Sequence, residues 1–226
     1  MRLSLIQRAL LAAGLLLFMG IATLSLWFGL SAAWTDASTL RARATVDGWR
    51  DGSGPGFTPA LWESTLQDLQ TALQTTPDNA QLHVDLGFLM AARAQGLGVA
   101  PAGSPADVQQ KNLLNQAIAH YRAACALRPT FPYTWAYLAL AKHLRDQHND
   151  EFWLAFDHAL QYGRTEAKLQ PTLADLAFAL WPTLQPQRQQ AITAMVESAQ
   201  AAPRKTMLDL AQRRSIALAG LTSAAP

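Results

Sequence analysis

Cysteine occurs once in 226 residues, at Cys125. A single thiol excludes an internal disulfide and cannot build a thiolate metal cluster. Charge is also scarce: 15% of residues are charged, against about 25% in an average soluble domain. The net charge is only +2, which removes the electrostatic case for a nucleic-acid partner. Sustained period-two alternation is missing, so no sheet is expected. There is no Gly-x-Ser-x-Gly run. Gly96, Gly98 and Gly103 make no phosphate loop, because no Lys-Ser/Thr follows them and no strand precedes them.

Apolar residues are what the chain has in quantity, at 50%. From Ala9 to Thr35 no charged residue occurs. A helix needs about 20 apolar residues to cross a bilayer core, and this run exceeds that. Trp27 and Trp34 lie toward its far end, where amphipathic rings favour the interface. Arg2 and Arg8 precede the run, so residues 1–8 are expected in the cytoplasm, 9–35 as an anchor, and the remainder exported. That describes a single-pass protein of a bacterial inner membrane with a periplasmic domain. Arg41, Arg43 and Arg50 after the span argue against this orientation. A cleaved signal peptide is the rival reading, with Ser31-Ala32-Ala33 as small residues for a protease. The run is longer than the usual signal core of about 7–15 residues, which favours the anchor.

Residues 36–57 read as a linker, because Gly and Pro crowd the stretch from Asp47 to Pro59. Thr58-Pro59 then opens a helix that Pro77 ends, with Leu61, Leu66, Leu69 and Leu73 on one face. A second helix is expected from Ala80 to about Gln95, a loop from Gly96 to Pro105, and a helix from Asn112 to Leu127. Pro132 to Arg145 and Asp150 to Tyr162 form the next pair, with Gly163 as a C-cap. Three apolar helices follow, over about 169–180, 186–201 and 203–221.

Two sets of residues organise this pattern. Ala117, Tyr121, Ala124 and Pro129 place small, aromatic and small residues on one helical face before a proline stop. Trp135, Leu138 and Ala139 open the following helix with a ring, then a Leu and a small residue. Weaker versions occur at Leu86-Gly87 and at Phe152, Phe156 and Ala159. A small residue lets two helix backbones approach, and a ring fills the space beside it. These sets resemble the tetratricopeptide repeat, a helix–turn–helix unit that stacks into a solenoid. Ala80 to Pro129 is longer than one such unit, and His83 stands where the pattern prefers Trp.

The resemblance implies an all-α repeat domain over 58–163, capped by helices over 164–221. It implies a concave groove that docks a protein partner, lined by Gln81, Val84, Phe88, Tyr133, Ala136, Leu140 and His143. That set is mostly apolar and lacks a Lys/Arg clamp, so it suits an apolar or helical peptide. The runs L-R-P-T-F-P-Y-T-W-A-Y-L-A-L-A-K and D-E-F-W-L-A-F-D-H-A-L also resemble the VpsP family. Those bacterial proteins carry one N-terminal span and a small repeat domain, and are encoded with exopolysaccharide machinery. The implied role is an accessory scaffold in polysaccharide assembly, with an inner-membrane or periplasmic protein partner. Direct polysaccharide capture, with Trp153 and Tyr133 as stacking platforms, is one alternative. A chaperone in another envelope pathway, such as cytochrome assembly, is another.

Catalytic and cofactor chemistry has weak candidates only. His143 and His148 flank a turn, and Asp150 or Glu151 offers a third metal ligand, but a polar helix end accounts for them better. Asp150-Glu151 reads as N-terminal capping with a favourable helix dipole rather than an acid–base pair. Cys125 reads as a buried structural thiol. No enzyme, cofactor or metal is expected.

Overall fold

The computed structural model describes residues 5–218, and the side chains of 13–218 apart from Ala32. Every regular element among them is helical. The helices are α1 (Leu5–Asp51), α2 (Pro59–Thr75), α3 (Ala80–Gly96), α4 (Pro105–Leu127), α5 (Pro132–Leu144), α6 (Asp150–Gly163), α7 (Gln170–Ala179), α8 (Pro186–Ser198) and α9 (Ala201–Arg213). A single 3-10 turn, Trp181–Thr183, joins α7 to α8. The chain divides into two compact units, Met1–Asp78 and Asn79–Pro226.

In the first unit, α1 is one helix of 47 residues. At a rise of about 1.5 Å per residue it is about 70 Å long, more than twice the hydrocarbon thickness of a bilayer. Its apolar half has an 18-residue window of mean hydropathy 1.9 with no part buried. The helix then continues through residues 36–51, which sequence composition assigned to a linker. The reason is a buried stripe: Thr35, Thr39, Ala42 and Val46 recur at alternating offsets of four and three and pack toward α2. On α2 the matching stripe is Thr65, Leu69 and Ala72. Thr35 and Thr39 hydroxyls donate to carbonyls one turn back, Ser31 and Thr35, at 2.9 and 2.6 Å. The polar atom is thereby satisfied inside its own helix, and the threonine methyl is left for packing. Only 52–58 remains as a connection, and it is a tight turn. Gly52 takes φ 69, and a Cβ on Gly48 would lie 2.6 Å from Gly54 Cα. The Trp49 indole closes the turn by donating to Pro55 O at 2.7 Å. α2, expected as the first element of the repeat domain, thus belongs with α1.

In the second unit, α3 pairs with α4 and α5 with α6, and α4 lies against α5. Tyr121 is 2% exposed and lies flat against Gly87, where an added Cβ would meet the ring at 2.6 Å. The small residue and the ring therefore pack as the spacing suggested. The α5–α6 pair buries Leu138, Ala139, Phe152, Ala155, Phe156 and Ala159. Gly163 serves this packing and is not the C-cap: it ends α6 in helical register, and its hydrogen faces Leu169 and Pro132. α7 packs on α9, with smaller contacts to α5, α6 and α8.

Helix ends differ from the sequence reading in places. α4 begins at Pro105, seven residues before Asn112, because Ser104 caps it by accepting from Asp107 N at 3.2 Å. The Asp107 carboxylate also takes Gly103 N and Lys111 Nζ, both at 2.8 Å. α9 stops at Arg213, and Ser215 turns the chain with φ 55. The end of the expected last helix, residues 219–221, lies outside the described residues, as do residues 1–4.

Candidate functional site

The expected groove residues do not form one open surface. Val84 and Ala136 are 4% and 1% exposed and belong to the core, so they cannot touch a partner. Gln81 is tied to buried Asp85 one turn on, at 2.9 Å, and Phe88 is half-buried. The phase error has a simple cause. Repeat spacing puts Gln81, Val84 and Phe88 on one open face of α3, but that helix is apolar nearly all round and buries both faces.

Three other expected groove residues lie on α5. Tyr133, Leu140 and His143 stay half-buried on one side of the helix. Tyr133 stands beside exposed Phe131, with ring centroids 5.5 Å apart, and its hydroxyl points at Glu166. Leu140, His143 and Leu144 face a cavity of about 510 Å³ between α5, α7 and α9, with Asp175, Leu210 and Arg214 on its other walls. The C-terminal helices thus partly roof the face that repeat geometry would leave open. Arg214 donates to Asp175 at 2.7 Å at this cavity.

Beside the cavity, His143 Nδ1 and His148 Nε2 are 2.8 Å apart. They meet because the helix end folds back: Asp146 takes φ 57, and Gln147 N donates to Lys142 O at 2.8 Å. Burial is the main cause that depresses the His143 pKa, with the neighbouring His148 second. Of the two suggested third ligands, Glu151 is taken by Arg122 and Lys142 instead. A second imidazole pair joins α3 to α4, His83 Nδ1 to His120 Nδ1 at 3.1 Å. Burial pushes His120 down to about 4. Among the described residues no group of three or more His, Cys, Asp or Glu is gathered as a metal cage.

The largest electrostatic feature had no local sequence signal. Lys142 is wholly buried and donates to Glu151 at 2.6 Å. Glu151 also accepts a forked pair of bonds from Arg122, at 2.5 and 2.6 Å. The Arg122 bonds, with those of Lys142, hold the Glu151 carboxyl at about 2. One carboxylate thereby links α4, α5 and α6. Asn149, not the acidic pair, caps α6 by accepting from Phe152 N. This is a structural network: it satisfies a buried ammonium.

The remaining candidates are also placed. Trp153 is covered by Arg188, whose guanidinium lies 4.5 Å from the ring centre and is held by Asp157. It offers no open platform for a sugar. Trp135 is half-buried rather than core, stacked on His158 at 4.6 Å with its indole N–H on Pro129 O. Cys125 is buried, and burial pushes its thiol up to about 12, which leaves it unreactive.

No family model matches the chain, and no curated protein matches it. What the molecule supports is thus the coarse statement that it is a helical protein with one helix long and apolar enough to span a membrane.

Proposed function

We propose that this chain is a membrane-anchored helical scaffold that docks a protein segment on the outer side of a bacterial inner membrane. The observation that carries the reading is α1: its apolar half is exposed on every side, a state that costs free energy in water and none in lipid. The α3–α4 and α5–α6 pairs are read as tetratricopeptide-like hairpins, with α7–α9 as their cap. Supporting that reading is the Gly87–Tyr121 contact, a ring seated on a small residue at the expected positions. The docking face is the Phe131–Tyr133 end of α5, continuing toward Leu140 and His143. Confinement to the membrane raises the effective concentration of partners, so weak contacts suffice.

The pathway, exopolysaccharide assembly, rests on the resemblance to the VpsP family. Photo-crosslinking from position 133 in intact cells tests the docking reading. Adducts with an envelope protein, lost in Tyr133→Glu at unchanged helical content, support it. Absence of any adduct from positions 131, 133 and 140 overturns it.

Direct capture of polysaccharide remains the second reading, because exposed Phe131 and half-buried Tyr133 form an aromatic pair at the surface. Glycan binding by the detergent-solubilised chain, lost in Tyr133→Ala, would favour it over a protein partner.

A further inference from the structure

We propose that the groove between the end of the apolar run on α1 and the last turns of α2 binds the ethanolamine headgroup of a zwitterionic lipid. The inference rests on the reading of residues 9–35 as a membrane span, and it concerns the first unit alone.

Position comes first. The groove has a volume of about 360 Å³, with Trp34, Thr35 and Ser38 on its α1 wall and Gln67, Asp68 and Thr71 on its α2 wall. Thr35 is the last residue of the charge-free run. A span over 9–35 therefore sets the groove at the level of the lipid headgroups. Trp34 is 73% exposed there, which is ordinary for an indole at an interface. The polar wall beside it is not ordinary. It is present because α2 returns along α1 after the tight turn and ends beside Trp34.

The lining is made of acceptors. Thr35 donates its hydroxyl hydrogen to Ser31 O at 2.9 Å, Ser38 to Thr35 O at 3.1 Å and Thr71 to Gln67 O at 2.8 Å. Those three oxygens have only lone pairs left to offer. Asp68 adds a carboxylate, which accepts only when ionised. It makes no ion pair among the described residues. No lysine or arginine is among the lining residues. Donors are confined to the Gln67 carboxamide, the Thr75 hydroxyl and the Trp34 indole N–H.

Such a lining gives a phosphate no counter-charge and suits a group made of donors. A primary ammonium carries three N–H donors and no acceptor. The face of an indole also attracts a cation through its ring quadrupole. Ethanolamine can use Asp68, the hydroxyl oxygens and the ring together. A choline ammonium has no N–H, so only the ring and the net charge of Asp68 serve it. The groove thus separates two zwitterionic lipids that carry the same phosphate.

The test is native mass spectrometry of the full-length chain in detergent, titrated with phosphatidylethanolamine, phosphatidylcholine or phosphatidylglycerol of identical acyl chains. We expect one retained phosphatidylethanolamine, favoured about tenfold over the other two, the equivalent of one charge-assisted hydrogen bond. Asp68→Asn abolishes the preference at unchanged helical content, Trp34→Leu weakens binding several-fold, and Asp175→Asn in the second unit changes nothing. Equal retention of the three lipids, or a preference that survives Asp68→Asn, overturns the proposal. Displacement by micromolar glycerophosphoethanolamine assigns the groove to a soluble amine and overturns it too. Flotation with phosphatidylcholine vesicles tests the span separately. A chain that floats but shows no preference refutes the headgroup site alone, whereas one that does not float refutes the anchor and the site together.

Discussion

The α1–α2 pair and the α3–α6 pairs are both built from small residues on facing helices, yet they are held together differently. The α1–α2 contact buries Thr35, Thr39, Thr45, Ala42 and Val46 against Thr65, Leu69 and Ala72. Only Leu69 among these is a large aliphatic side chain. The α3–α6 region buries Leu82, Leu86, Leu89, Ile118, Tyr121, Phe152 and Phe156. Apolar burial contributes about 25 cal/mol per Å², so the second contact is far stronger per turn. On the proposed reading a membrane confines α1, so a thin contact suffices there. A unit that folds in water must supply its own core.

That difference ranks the expected effects of substitution. The largest should come from Phe152→Ala. Its ring is fully buried, and removing it should cost about 3–5 kcal/mol, measured by denaturant unfolding of the full chain in detergent. Glu151→Gln comes next, at about 3 kcal/mol, the low end for breaking a buried pair because Glu151 is 31% exposed while Lys142 is 0%. Lys142→Met should cost less than about 1 kcal/mol, because it removes the buried charge as well. If Lys142→Met is the worse of the two, the network matters for its attraction and not for satisfying the ammonium.

Acid offers a second reading of the same network. The folded-state pKa of Glu151 is depressed to about 2 by its Arg122 and Lys142 bonds, below the unfolded value of about 4.3. Its contribution is therefore present above pH 4.3 and is lost as pH falls toward 2. The Glu151→Gln variant should show a flatter acid limb over that window in thermal melts.

Gly87→Ala should cost about 2 kcal/mol, because the added methyl overlaps the Tyr121 ring. Among changes that remove apolar packing, Val46→Ala in the α1–α2 stripe should cost least, at about 1 kcal/mol. Should Val46→Ala cost as much as Phe152→Ala, the contrast between a thin and a full contact is wrong.

How much of this was legible in the sequence follows from range. The apolar run and the Ala117/Tyr121/Ala124 spacing are local patterns, and each states its own partner type. The extension of α1 to Asp51 was hidden because threonines, which hydropathy scores as polar, make up half of its packing stripe. Only the backbone shows their hydroxyls turned inward on their own helix. Arg122, Lys142 and Glu151 come from three helices, and no local window contains all three. The groove reading on α3 failed for a related reason: burial of Val84 depends on helices that its own sequence does not specify.

The most direct test is a nitroxide scan from Ala13 to Asp51 in lipid bilayers, reading oxygen and water-soluble relaxant accessibility at each position. The account predicts unbroken helical periodicity across the whole stretch. Positions 13–30 should be open to oxygen on all faces, and Thr35, Thr39, Ala42 and Val46 protected from both reagents. Loss of periodicity after Asp36, or access of the water-soluble reagent throughout 13–30, would contradict it.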